Sequence, residues 1–204
     1  WKTLPPRGDI AVYIGAWYSR PLLDNAYERT GLATYDRELS RIVSFERELV
    51  DDGVLILKFW MHLGKKAQKK RLDALEKDLL TRWRVTDREK ENWAMYDRFE
   101  VASDRLIHKT NTAETSWHIV EGEDSNYRTI AVARTVLNEM RQRLSVKSVK
   151  ATAVPSFVSS DQEPAINVLR QLDLNQNLVK KEYKVQLEKY QGRLNRLALE
   201  AHQS

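Results

Sequence analysis

Cysteine is missing from all 204 residues. That absence excludes disulfides, thiol nucleophiles and cysteine-based zinc sites, and it suits a reducing compartment. Glycine and proline are scarce, with 7 and 5 residues, so the composition favours helix. The backbone cradles for a nucleoside triphosphate are absent as well. Neither Gly-x-x-x-x-Gly-Lys-Ser/Thr nor Gly-x-Gly-x-x-Gly occurs in the chain. His62, His108, His118 and His202 are scattered rather than set at metal-ligand spacing, which argues against a metal centre in this segment. No nucleophile-elbow motif supports a serine triad. No apolar run approaches the roughly 18 residues of a membrane span, and no signal peptide is evident, so a cytoplasmic chain with no membrane partner is expected. The chain opens at Trp1 without an initiator methionine, which suggests a fragment.

What the chain does have is charge. Acidic and basic residues make up 31% of it, with a formal net charge of +5, enough to favour anionic partners without choosing between nucleic acid and phosphate chains. The most uneven stretch is Val54–Leu72. It begins with the turn signal Asp51-Asp52-Gly53 and the apolar run Val54 to Leu57, which reads as a strand buried on both faces. Then Lys58, His62, Lys65, Lys66, Lys69, Lys70 and Arg71 follow with no Asp or Glu among them, and Gly64 opens a helix. A strand end, a turn and a helix N-terminus form an anion site in α/β folds. The same run also fits a buried strand followed by a solvated basic helix face.

Taken in order, Ile10–Ile14 is predicted as a first buried strand, followed at its end by Trp17, Tyr18 and Arg20. Helices are expected at Leu22–Thr30 and Asp36–Val50, the latter with a stripe Leu39, Ile42, Val43, Glu46, Leu49 that Glu46 interrupts. The central strand Val54–Trp60 and the basic helix Lys65–Asp78 come next. Thr86 with Glu89 is a capping box opening one helix from Asp87 to Thr110. Trp117–Val120 is a third strand, and Asn126–Leu144 a further helix. Ser145–Pro164 reads as a linker. From Asn177 a last helix carries Tyr183, Leu187, Tyr190, Leu194 and Leu197, a four-three seam that suits its own core or a partner helix. Alternating strands and helices imply an α/β fold with a largely parallel sheet, and three strands are few enough to suggest that part of the sheet is missing.

The run Lys58-Phe59-Trp60-Met61-His62-Leu63 with Gln68 and Arg71 resembles the polyphosphate kinase 2 family. The likeness continues through Leu79-Leu80-Thr81-Arg82-Trp83-Arg84-Val85-Thr86, which looks like the family's lid, and through Trp93, Tyr96-Asp97, Thr110-Asn111-Thr112-Ala113, Trp117 and Tyr127-Arg128. It implies an incomplete three-layer sandwich of P-loop-kinase type with a parallel sheet, a helical lid and a C-terminal helical extension. Residues 1–144 would be a module without its phosphate-binding loop, 145–171 a linker, and 172–204 the first helix of a second module, as in tandem polyphosphate:AMP phosphotransferases.

The resemblance implies a polyphosphate path along Lys58, His62, Lys65, Lys66, Lys69 and Arg71. It places Arg82, Trp83 and Arg84 in the lid with Arg128 as a further contact, and Arg20 near the transferring phosphates. Where active members carry Asp-Arg-Ser-Trp-Tyr-Asn-Arg, this chain has Ile14-Gly15-Ala16-Trp17-Tyr18-Ser19-Arg20. Ile14 replaces the aspartate that would help hold Mg²⁺, and an apolar side chain cannot ligate a hard cation. The expectation is therefore a polyphosphate-dependent nucleotide phosphotransferase whose Mg²⁺ and AMP/ADP belong to the parent protein. This segment would be structural or polyphosphate-binding and inactive alone. A helix-mediated interaction or homo-oligomerisation module and a non-specific polyanion or nucleic-acid binder are the alternatives.

Overall fold

The helical periodicity in the sequence translates directly into structure. The structure, a computed structural model, describes residues 4–145 and 168–202. After a 3-10 turn at Ala16–Tyr18 come α1 (Ser19–Ala26) and α2 (Leu32–Asp51), then β1 (Lys58–His62) and α3 (Lys65–Lys77). A second 3-10 turn, Arg82–Arg84, leads to α4 (Asp87–Ala94), α5 (Tyr96–Thr110), β2 (Trp117–Glu121) and α6 (Ser125–Ser145). A third, Val168–Gln171, precedes α7 (Lys180–His202). The Thr86 capping box with Glu89 is present, and it is what starts α4.

β1 and β2 pair in parallel, Lys58 opposite Trp117 and His62 opposite Glu121. Side chains alternate across a strand, so Lys58, Trp60 and His62 share a face with Trp117, Ile119 and Glu121. Against that face lies the main core: Tyr35, Leu39 and Ile42 of α2, Ala102, Leu106 and Ile107 of α5, and Tyr18 and Ala26 beside them. α6 packs on β2, and α7 packs on α6. The observed class is α/β, helices around a small parallel sheet.

Several expectations need correction. Ile10–Ile14 is not a strand: Ile10, Val12 and Ile14 are 62%, 87% and 101% exposed, and no described strand forms a ladder with the segment. A β-rich run forms a strand only where a ladder partner satisfies its backbone groups. Val54 and Leu55 are also exposed, and the central strand starts four residues later than the apolar run, at Lys58. The sheet described is therefore two-stranded. The helix expected over Asp87–Thr110 is two helices, broken at Met95, whose φ and ψ of −93° and 14° leave the helical basin. Residues 146–167, which hold most of the presumed linker, lie outside the described residues.

The C-terminal part does not stand apart from the rest. Leu169 is 2% exposed within the main core, and Leu172 packs against it. The seam residues Tyr183, Leu187, Tyr190, Leu194 and Leu197 are all at least partly buried, on a helix whose main neighbour is α6.

Candidate functional site

Lys58 is the first basic residue of the long run, and the structure turns it inward. Its side chain is 4% exposed, and Nζ lies 3.0 Å from Glu46 Oε2, itself 1% exposed. Nζ also donates to the Thr110 carbonyl at 2.6 Å and approaches Thr115 Oγ1 and the Tyr18 hydroxyl, each at 3.3 Å. Glu46 accepts in turn from Trp17 Nε1 at 3.1 Å, from the Tyr18 hydroxyl, and from Thr115 Oγ1 at 3.1 Å. The Trp117 ring, 5.1 Å from Nζ, closes one side. Burial pulls the Lys58 ammonium below its ordinary pKa while Glu46 opposes that pull, and burial pushes the Tyr18 hydroxyl up, with the Glu46 charge adding to it. The network ties α2, β1, the end of α5 and the first 3-10 turn together. Glu46 is the residue that interrupts the apolar stripe of α2. A lone acid in a core position was the sequence signal for a buried cation partner.

His62 closes the same strand, 6% exposed. Burial lowers its pKa, partly offset by the charge of Glu100, so the imidazole is neutral at pH 7. Its carbonyl accepts the Gly122 N–H at 2.6 Å, which brings the ends of β1 and β2 together. A Cβ at residue 122 would lie 2.5 Å from that carbonyl oxygen, so the approach needs glycine. Arg128 caps the same corner, donating to the Gly122 carbonyl at 2.5 Å. The strand ends are also covered: Leu174 packs over Gly64, near enough that a Cβ there would meet it at 2.9 Å.

The exposed cations sit on α3. Lys65 pairs with Asp97 at 2.8 Å and lies 5.9 Å from the ring centres of both Trp93 and Tyr96. Lys69 lies 5.1 Å from the Trp93 ring and 3.2 Å from Asp73. Trp93 Nε1 donates to the Lys65 carbonyl at 3.2 Å and the Tyr96 hydroxyl to the Leu63 carbonyl at 3.1 Å, so α4 and α5 hold the start of α3. Farther along, Lys66, Lys69, Lys70, Asp73, Ala74 and Lys77 line a shallow hollow of about 490 Å³. Lys66, Lys70, Arg71 and Lys77 have no ion-pair partner among the described residues. The turn with Arg82, Trp83 and Arg84 packs beside α3. Arg20 stands apart, exposed and 3.6 Å from Asp24.

The fold thus separates the predicted residues. Lys58 and His62 lie on the inner face of β1, Lys65 to Arg71 on α3, Arg82 to Arg84 in the neighbouring turn, and Arg128 at the strand ends. The Mg²⁺ that the resemblance implies finds no fitting donors here: Ile14 is apolar and exposed, and no group of three or more His, Asp or Glu among the described residues is placed to hold a metal.

The sequence pattern of the family described as Polyphosphate kinase 2 matches residues 1–148. The chain belongs to the polyphosphate kinase 2 family. Among its relatives, the polyphosphate:AMP phosphotransferase of Pseudomonas aeruginosa is 36% identical over 197 residues, 95% of this chain and 39% of that one. The corresponding protein of Pseudomonas syringae pv. tomato is 32% identical over 195 residues, 96% of this chain and 39% of that one. The chain thus spans about two fifths of either relative. Among solved structures, polyphosphate kinase 2 from Arthrobacter aurescens matches with a TM-score of 0.60 at 27% identity, covering 67% of this chain and 48% of that one. The putative polyphosphate kinase 2 from Pseudomonas aeruginosa matches at 0.60 and 31% identity, covering 93% and 33%. Lys58, His62, α3 and the Arg82–Arg84 turn all lie within the segment matched by the polyphosphate kinase 2 family.

Proposed function

We propose that this chain is part of a polyphosphate-dependent nucleotide phosphotransferase that converts AMP to ADP in the parent protein. In this reading the segment holds polyphosphate on α3 and scaffolds a second module, and it does not transfer a phosphate by itself. The observation that carries it is the row Lys66, Lys70 and Lys77, without an ion-pair partner among the described residues, along one helix of a polyphosphate kinase 2 chain. At about 1.5 Å per residue the row extends about 16 Å, which suits a linear polyanion better than a single phosphate. Phosphoryl transfer is mostly positioning and neutralisation of developing charge. Three features favour holding over transfer. Ile14 stands where active members carry an aspartate, Lys58 is engaged by Glu46, and Leu174 covers the Gly64 end of α3.

The test has two arms. Polyphosphate titrated into the 204-residue chain is expected to bind, and a Lys66→Ala/Lys70→Ala/Lys77→Ala variant to bind much more weakly. The same chain given AMP, polyphosphate and Mg²⁺ is expected to form no ADP, whereas a longer protein carrying both modules should form it. Robust turnover by the 204 residues alone overturns the non-catalytic reading. Unaltered polyphosphate affinity in the triple variant overturns the α3 assignment.

A further inference from the structure

Open parallel sheets bind their ligands beyond the carboxyl ends of the strands. Here the chain lays its own residues 169–178 across that edge. Leu169 anchors one end, 2% exposed in the main core, and Leu172 packs against the same core. Leu174 then sits over Gly64, the residue that opens α3 just past β1. At the far end the Leu178 carbonyl accepts from Asn126 Nδ2, in the first turn of α6, and α7 begins at Lys180. Between these points alternate side chains face the protein. Leu172, Leu174, Gln176 and Leu178 are partly buried, while Asp173, Asn175 and Asn177 are exposed.

The two halves of this crossing are held differently. Leu169 is deep in the core, but from Asp173 onward the side-chain bonds are mostly local. The Asp173 carboxylate accepts from the Asn175 N–H at 3.0 Å, from Asn175 Nδ2 at 3.1 Å and from Gln176 Nε2 at 2.7 Å. The bond from Asn126 to Leu178 is long, at 3.4 Å. A segment with few buried apolar side chains and mostly local bonds opens at low free energy while its anchored neighbours stay folded. We propose that residues 173–178 are a displaceable strap over the Gly64 end of α3. Closed, it stops a polyphosphate on the Lys66–Lys77 row from running on to the strand ends, and the polyanion must push it aside to get there. The apparent affinity is then the intrinsic one multiplied by the fraction of molecules with the strap open. The proposal rests on the polyphosphate-holding reading and assigns a regulation to that site.

The test follows hydrogen exchange and affinity for polyphosphate of defined length in the 204-residue chain. Saturating polyphosphate is expected to speed exchange at residues 173–178 and to leave residues 169–172 unaltered. Leu174→Ala and Gly64→Ala attack the same contact from its two sides. The first removes the cover. The second puts a Cβ 2.9 Å from Leu174 Cδ1, on a backbone with an ordinary φ of −62°, so the flexible leucine gives way. Each change should tighten polyphosphate binding about fivefold. The double variant should bind no tighter than either alone, because one contact is lost only once. Circular dichroism should be unchanged, since Leu174 is only partly buried. Polyphosphate that binds without speeding exchange at residues 173–178, or that binds the variants no tighter, overturns the strap and leaves the polyphosphate-holding reading standing. Polyphosphate that binds neither the unaltered chain nor Leu174→Ala overturns both. Binding by both single variants but not by the unaltered chain upholds the strap as what shuts the site.

Discussion

Lys58 Nζ lies 3.0 Å from Glu46 Oε2, with both side chains almost fully removed from solvent. The pair joins the middle of a long helix to the first residue of the parallel strand pair, and Tyr18, Thr110 and Thr115 complete its hydrogen bonds. The cation nearest the sheet thus serves the fold, and the exposed cations of α3 and of the Arg82–Arg84 turn remain available to a ligand.

Breaking this pair from one side should be costly. Glu46→Ala or Lys58→Ala leaves a buried charge without its partner and is expected to lower stability by about 3–5 kcal/mol in denaturant unfolding. The double change Glu46→Leu/Lys58→Met removes both charges and should recover much of that loss. Strictly additive losses would show that the two residues do not act as a unit.

The corner between the strands leaves no room at residue 122. Gly122→Ala puts a Cβ 2.5 Å from the His62 carbonyl oxygen, a backbone atom that cannot swing away. Overpacking of this kind should cost about 1–3 kcal/mol, visible as a lower Tm. An unchanged Tm would mean that the strand ends lie farther apart than described.

Stability should also fall on mild acidification. Burial depresses the His62 pKa below the roughly 6.5 of an unfolded histidine. Between the folded and unfolded values the unfolded chain binds more protons, so stability drops as pH falls through about 6.5 and levels off below the folded value. Unfolding measured from pH 8 to 5 should show that slope, and His62→Gln should lose the part His62 contributes. The same slope in both proteins would assign it to other groups.

The C-terminal segment should behave as part of the same cooperative unit. Leu169 sits in the main core, so Leu169→Ala is expected to destabilise the α2–α5 core by about 2–5 kcal/mol in a single transition. If only α7 loosens, as read by hydrogen exchange, the two parts are separate units.

Polyphosphate binding should be strongly salt-dependent. Lys66→Ala/Lys70→Ala is expected to lower affinity and to reduce the slope of log K against log salt by roughly two, about one per lysine removed. An unaltered slope would show that these lysines do not meet the polyanion.

Much of the helical structure was legible in the residues themselves, because amphipathic spacing and the Thr86–Glu89 capping box are local signals. The strands were less so. Ile10–Ile14 and Val54–Leu57 have strand-like composition but are not strands here, since a strand depends on a partner distant in sequence, as β1 depends on β2. The candidate site divides the same way. The lysine row on α3 follows from helical spacing alone, while the inward turn of Lys58 depends on a glutamate twelve residues earlier and on Thr110 and Thr115 beyond.

By itself, then, the sequence determined the chemistry available to this chain: no thiols, no glycine-rich nucleotide loop within the 204 residues, a run of lysine and arginine from Lys58 to Arg71, and an apolar Ile14. Tertiary structure decided which of those charges can meet a ligand. Burial against Glu46 withdraws Lys58, the strand-end corner buries His62, and Leu174 covers the Gly64 end of α3. Lys66, Lys70 and Lys77 of α3 and the Arg82–Arg84 turn stay in water with no ion-pair partner among the described residues. Charge follows from composition, but its availability follows from what packs beside it.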